Sequence, residues 1–468
     1  MTQVVVVGGG ISGLAAAHRL RTLLGPAAGI TVVEQRPAGV GGKLRTIELA
    51  GIGYDVGAET FLVRGPEAAG LVEELGLAGR LVHPTPARAG LRVAGRTATM
   101  PPSTVLGVPA DPAALRDVLS ADGLARAAAE RERPLTWSSG ADVAVGRLVT
   151  ERFGREVTER LVDPLLGGVY AGAADDLGLR ATMPGLAGAL DAAAAAGRPT
   201  SLTDAAAGTL RNPSTGPVFG ALTGGMGELV AALSRAAGAR LRTGLPVRAL
   251  HRTAAGWRVE IGPAPYPRFL DADAVVLAVP PPALRRLLAP LSTVAASAAA
   301  GIEVASMAIV ALALPPHVEL PDASGVLIGA AEPLHAKAFT YSSRKWAHLA
   351  GGPVLVRASL GRHHEPAALQ ADDEQLVARV RADLATLTGV TAEPLDSAVV
   401  RWGGGLPQYA VGHVERVEAI ESAVAALPGL AVAGAALHGV GIAACIGTAE
   451  AAARRIAGHL SARDAVGA

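Results

Sequence analysis

The chain begins with an apolar run that does not alternate, Val4–Val7, and stops at a glycine-rich turn. An unbroken stretch of β-branched residues predicts a strand covered on both faces. Alanine-rich sequence from Leu14 to Leu20 then takes helical spacing, and a second apolar run, Ile30–Val33, completes a β-α-β unit. The same strand pattern returns twice, at residues 274–279 before three prolines and at Leu430–Ala433 before Gly434. Between these runs the period changes. Glu67–Leu75, Ala113–Leu119, Ala141–Phe153 and Arg155–Val162 have helical spacing, and proline-rich breaks at 84–86, 101–102 and 109–112 separate them. Ala187–Ala207 is rich in alanine and reads as a helix with a loop. A helix is predicted from Leu222–Leu229 to Ala237, with strands at Arg240–Thr243, 246–250 and Trp257–Ile261. Met307–Leu314, Val326–Ile328 and Val354–Leu360, with one helix over Asp372–Leu387, predict a second sheet.

These periods predict an α/β chain of discontinuous organisation. A Rossmann-type dinucleotide-binding domain comes from residues 1–65, 216–300 and 396–468, a mostly helical insertion from 66–215, and a substrate-domain sheet from 301–395. The length of 468 residues suits more than one core. A net charge of +1 gives no reason to expect a nucleic-acid partner. The single cysteine, Cys445, excludes a disulfide framework and a cysteine metal site, so no metal centre is expected. A reducing cytoplasm is the expected compartment. The first strand begins within three residues and no basic leader precedes it, so a secretory signal is not expected. The apolar region from Leu287 to Leu314 is interrupted by Pro290, Gly301 and Glu303, so no spanning helix is expected. Peripheral membrane contact stays open.

The glycines of the first turn carry the candidate chemistry. Gly8, Gly10 and Gly13 have the G-x-G-x-x-G spacing, and Gly9, Ile11 and Ser12 fill the turn between strand and helix. Gly8 permits the tight turn, Gly10 the approach of a pyrophosphate, and Gly13 close contact of helix and sheet. Glu34 ends the second strand about 20 residues on, where an acid receives ribose hydroxyls. That acid favours an unphosphorylated ribose, as in FAD or NAD. Gly41-Gly42-Lys43 can wrap a diphosphate and add a counter-charge. Gly57-Ala58-Glu59-Thr60 follows a short strand, and Gly439-Val440-Gly441-Ile442 feeds another helix N-terminus near Gly434.

The order GGGISG, Glu34, GGKLRT, GAETF, GGMGEL and GVGI resembles the FAD-dependent amine-oxidase-like flavoproteins. Pro164–Gly172 (PLLGGVYAG) and Trp402 with Leu406-Pro407-Gln408-Tyr409 and Gly412-His413 resemble the porphyrinogen oxidases among them. The resemblance covers nearly the whole chain. It implies non-covalent FAD held at Gly8–Gly13, Glu34, Gly42, Lys43, Gly57–Thr60, Val247, Trp402, Gly434 and Val440–Ile442. It implies a tetrapyrrole wall at Gly168, Val169 and Tyr170, and oxidation of a porphyrinogen in haem biosynthesis by hydride transfer to the flavin, with oxygen as acceptor and hydrogen peroxide released. Coproporphyrinogen III is the expected substrate, with protoporphyrinogen IX the alternative; a carotenoid desaturase, or an amine oxidase for which Lys337 or Lys345 would be the lysine near the flavin, is a further one. No catalytic side chain is required; His413 and His438 are candidate helpers. The arginine that relatives use for a propionate has no counterpart at 97–110, and Arg64, Arg92, Arg96 and Arg116 around that gap leave the partner open. A monomer or homodimer, with transient contact to the next haem-pathway enzyme, completes the expectation.

Overall fold

The computed structural model describes residues 2–211 and 216–467. Its centre is a five-stranded parallel sheet in the order Arg240–Arg242, Gly29–Val33, Gln3–Val7, Ala274–Leu277, Leu430–Val432. Val5 lies opposite Thr31 on one side and Val275 on the other. The uninterrupted valines have a direct explanation. Val4 and Val6 face a core made with helices Ile11–Leu24, Gly227–Ala237 and Ile442–Gly467. Val5 and Val7 face a second core beneath an antiparallel sheet (Val247–Thr253, Gly256–Ile261, Arg268–Ala272) and helices Pro281–Leu288, Thr293–Ala300 and His413–Ala425. Both faces are covered, so no polar position is needed along the strand.

The chain moves to one side of Gln3–Val7 for its second strand and to the other for Ala274–Leu277. This is a topological switch point, where a crevice opens at the strands' carboxyl ends. Gly8–Gly13 sits there. Gly8 has φ +104°, and a Cβ on Gly13 would lie 1.8 Å from the Gly8 carbonyl oxygen. No side chain fits that contact, and the helix therefore lies directly on the turn.

A seven-stranded sheet forms the second unit, in the order Asp396–Pro407, Val304–Leu314, Val354–Leu360, Ala336–Tyr341, Gly325–Ile328, Ala89–Val93, Arg96–Thr99. Ala308, Val310, Leu312 and Leu314 face helix Asp373–Thr388. Ile309, Ala311 and Ala313 face the hairpin Thr46–Leu49/Ile52–Asp55. Helices between Ala121 and Leu210 form a separate core that Leu91 and Val93 join.

Some expected elements differ. Residues 89–99, read as part of the helical insertion, form an edge hairpin. Ala94 and Gly95 both have positive φ, 50° and 72°, which suits the tight turn of a right-twisted hairpin. Ala113–Leu119 holds only a 3-10 turn, Pro112–Leu115, and the helix expected from Ala141 starts at Val145. The division at 396 falls at the start of strand Asp396–Pro407, which pairs with Val304–Leu314, so these residues belong to the seven-stranded sheet. The division at 215 lies outside the described residues.

Candidate cofactor and substrate site

The first helix begins at Ile11 behind an extended Gly10, and no side chain caps it. Its free N–H groups and positive dipole end are available to an anion. The second glycine loop lies against the first. Gly41 N donates to the Gly9 carbonyl at 2.7 Å, and a Cβ on Gly42 would be 2.9 Å from Gly10 Cα. Glu34 fixes the rim, with Oε2 accepting from Gly9 N at 2.7 Å and Oε1 from Arg36 N at 2.8 Å. Leu245 N donates to the Glu34 carbonyl at 3.1 Å, which brings the strand starting at Val247 beside this acid. The Val247 carbonyl accepts from Arg286 Nη2 at 2.8 Å.

Both chain ends meet here. Gly434 has φ +128°, its N donates to Thr448 Oγ1 at 3.0 Å, and its nearest neighbour toward the first turn is Ser12 Oγ. Ile442 opens the last helix and is buried, whereas a Cβ on Gly441 would meet open space. Val440 packs against the helical core. These small and backbone-rich surfaces form a cradle that side chains would fill, which fits a dinucleotide.

Loop 55–60 is held by two buried carboxylates that the sequence pattern did not single out as structural. Asp55 accepts from Met226 N with both oxygens at 3.0 Å and from Thr46 Oγ1 at 2.6 Å. Burial nevertheless pushes its carboxyl up to about 6. Glu59 pairs with Lys345 Nζ at 2.5 Å and with Arg357 Nε at 3.5 Å. Burial alone would raise Glu59; the two cations outweigh it and hold the carboxyl at about 2. Arg357 also donates to the Asp55 and Gly57 carbonyls. Gly57 is pressed on the Lys43 carbonyl, where a Cβ would lie at 1.8 Å, and Ala58 N donates to the same oxygen at 3.0 Å. Thr60 is half-buried at the end of this loop.

Trp402 Nε1 donates to the Val56 carbonyl at 3.0 Å, and its ring lies 3.3 Å from a Cβ placed on Gly57. The long strand therefore delivers Trp402 to loop 55–60. The Lys43 ammonium donates to the Gly405 carbonyl at 2.5 Å, and burial pushes it down from the usual lysine range, which places this cation beside the strand that carries Trp402.

The wall segment is a continuous helical run. Arg155–Val157 is α-helical, Thr158–Val162 widens to a π-turn, and Asp163–Tyr170 resumes the α-helix. Pro164 has no N–H to donate, and the widened turn accommodates it. Ala171 closes the helix in the left-handed region at φ 56°. Gly168 and Val169 are uncovered, Val169 at 41 % exposure, although the helix is packed on strands Gly325–Ile328 and Ala336–Tyr341. A Cβ on Gly168 would be 3.3 Å from Leu327 Cδ2. Tyr170 points away into the core, tilted on Tyr409 at 5.4 Å, and burial pushes its phenol up to about 12. It braces the wall and does not form its open face.

Gln408 Nε2 donates to the Tyr170 carbonyl at 2.8 Å, and Tyr409 Oη to the Ala435 carbonyl at 2.8 Å. This short segment ties the wall helix to the C-terminal part of the cradle. His413 stacks on Tyr409 at 3.8 Å, its Nε2 lies 3.1 Å from the Leu437 carbonyl, and burial pushes it down to about 4. His438 lies on the surface with Glu421. Neither histidine is presented to the wall. Of the arginines around the 97–110 gap, Arg92 pairs with Glu332 and Arg64, Arg96 and Arg116 are exposed. Among the described residues, Asp176, His363 and His364 bring donor atoms within 4.8 Å of one another. Two of these are exposed and His363 Nε2 is engaged by Glu303 at 3.0 Å, which makes this a polar surface cluster.

The cradle with an acid at its rim, tied through Gln408 and Tyr409 to a helix with a bare glycine and valine, is that of a dinucleotide-binding protein. The profile of the flavin containing amine oxidoreductase family matches residues 11–457. Coproporphyrinogen III oxidase from Mycobacterium tuberculosis (strain ATCC 25618 / H37Rv) is 44% identical over 462 residues, covering 98% of each chain. The enzyme of that name from Bacillus subtilis (strain 168) is 30% identical over 470 residues, covering 96% of this chain and 97% of its own. A solved structure from Exiguobacterium sp. 255-15, assigned as a protoporphyrinogen oxidase, superposes with a TM-score of 0.85 at 28% identity, covering 97% of this chain and 98% of its own. The chain belongs to the flavin-containing amine oxidoreductase family, in its porphyrinogen oxidase group, and its cofactor is FAD. No described helix is long and apolar enough to cross a membrane.

The Glu59 clamp has a defined acid sensitivity. Its folded value near 2 lies below the ordinary 4.5, so the stability it contributes is present above about pH 4.5 and is lost as pH falls toward 2. Asp55 has the opposite sign, because its raised carboxyl takes up a proton in the folded state first. Glu59→Gln should lower stability at pH 7 by about 3 kcal/mol and flatten the loss between pH 4.5 and 2. Thermal unfolding of both proteins across this range checks it; parallel pH profiles would contradict the assignment.

Proposed function

We propose that the protein oxidises coproporphyrinogen III to coproporphyrin III in haem biosynthesis, with molecular oxygen as the final acceptor and hydrogen peroxide as the second product. The observation that carries this reading is the uncovered Gly168–Val169 face. An internal helix that leaves a glycine and a valine bare beside Leu327 offers a flat apolar slot, the shape a tetrapyrrole needs. The relatives named coproporphyrinogen III oxidase support the choice of substrate. A bovine protoporphyrinogen oxidase, 28% identical over 499 residues, supports the alternative porphyrinogen.

FAD, when bound, supplies the hydride acceptor for each two-electron round. The chain's own work is placement. Gly8–Gly13 and Glu34 would hold the diphosphate and ribose end, and Val440–Ile442 the far end. Trp402 and loop 57–60 keep the strand and the cradle in register. Gly168 lets the ring lie close, and Val169 and Leu327 exclude water from its face. Tyr170 stays protonated, and His413 is a weak base held against Tyr409 and the Leu437 carbonyl, away from the wall, so neither takes a proton there. The exposed pyrrole edges can lose protons to solvent.

Turnover of each porphyrinogen in air, followed by porphyrin fluorescence and peroxide release, tests the substrate. The expected kcat/KM for coproporphyrinogen III exceeds that for protoporphyrinogen IX by at least about ten-fold. The reverse ratio would overturn the assignment. Gly168→Phe should retain flavin and lose roughly 100-fold in kcat/KM. A variant that loses flavin instead, or turns over normally, would remove Gly168 from the substrate wall.

A further inference from the structure

Lys337 is 3 % exposed, and its Nζ is buried without a hydrogen-bond partner among the described residues. Arg362 is the charged neighbour whose field reaches it. Arg362 makes one hydrogen bond, from Nη2 to the Ile328 carbonyl at 3.1 Å, and no ion pair among the described residues. Asp163 lies within electrostatic reach of Arg362, but its Oδ1 accepts from Ala174 N at 2.9 Å. The contrast with Lys345 is direct, since that ammonium sits on Glu59.

A buried ammonium without a hydrogen-bond partner is costly, and a guanidinium close by adds to the cost even where Asp163 offsets part of the Arg362 charge. Burial and the Arg362 charge push Lys337 down to about 7, which reports the same conflict. Buried polar groups in a native fold almost always find a partner, and a charged one that does not asks for an explanation, which here a bound anion would supply. The position says where the ligand comes from. Arg362 Nη1 would lie 2.9 Å from a Cβ on Gly167, so the guanidinium touches the wall helix one residue before the bare Gly168. Strand Ala336–Tyr341, which carries Lys337, packs on the same helix. Any side chain at Gly167 would strike the guanidinium, which gives the first glycine of the pair a role separate from the second. A forked guanidinium beside an ammonium matches the two oxygens of a carboxylate.

We propose that Lys337 and Arg362 form the receptor for a propionate carboxylate of the porphyrinogen, reached past Gly167 and Gly168. The assignment rests on the porphyrinogen reading above. It also fills the gap left by Arg64, Arg92, Arg96 and Arg116, none of which combines burial with a free cationic head at the wall.

Equilibrium binding to the oxidised, flavin-loaded protein tests it without turnover. Porphyrin fluorescence quenching would be measured for coproporphyrin III and for its tetramethyl ester, with wild type and Lys337→Met. The acid should bind about thirty-fold more weakly to the variant, while the ester's Kd moves less than about three-fold. Equal acid affinity in the two proteins overturns the receptor. An equal loss for acid and ester also overturns it, because that pattern reports packing. If Lys337→Met does not load flavin, Arg362→Gln, at a half-buried site, decides by the same criteria. Wild type that binds neither porphyrin overturns the porphyrinogen reading and the receptor with it, an outcome distinct from binding that the variant does not change.

Discussion

The arrangement depends on five residues, 55–59, pinned at both ends by buried carboxylates. Asp55 holds the start of helix Gly227–Ala237, which belongs to the dinucleotide domain. Glu59 holds Arg357, on strand Val354–Leu360 of the seven-stranded sheet, and Lys345, at the end of the short helix Ser342–Lys345 that follows strand Ala336–Tyr341. Between them Val56 is buried in the core below the sheet, while Gly57 and Ala58 offer only backbone and a methyl group. Gly57 lies on the Lys43 carbonyl and Trp402 lies on Gly57. The cradle and the sheet are thereby fixed relative to each other through a backbone contact that a larger residue could not make.

Two lysines among these elements, Lys345 half-buried and Lys337 buried, are treated differently. Lys345 is neutralised in place by Glu59 and serves position. Lys337 has no such partner, and its neighbour Arg362 makes the site more cationic. The helix Asp163–Tyr170 packs on the strand that carries Lys337, and the Arg362 guanidinium lies against its Gly167.

Much of the parallel sheet was legible in the sequence because both of its faces are covered. Val4–Val7 and residues 274–277 are apolar at every position, and each ends at the turn the spacing predicts. The edge hairpin at 89–99 was not legible, because its turn is Ala94-Gly95 and its strands are short and partly exposed. The strand Asp396–Pro407 was hidden for another reason. Its Gly403-Gly404-Gly405 run reads as a loop, yet Gly404 N is held by Ser306 Oγ at the register shift with Val304–Leu314. At the site, glycine motifs named the cradle. The residues that set its geometry, Asp55, Arg357 and Arg362, belong to no motif, and only the folded chain brings them together.

The central claim is that this cradle and this wall bring a porphyrinogen to the flavin. Anaerobic mixing of the flavin-loaded protein with coproporphyrinogen III tests it most directly, by following the visible flavin absorbance through a single turnover. The account predicts rapid bleaching by the porphyrinogen and none by a primary amine. A flavin that stays oxidised with the porphyrinogen but bleaches with the amine would contradict it.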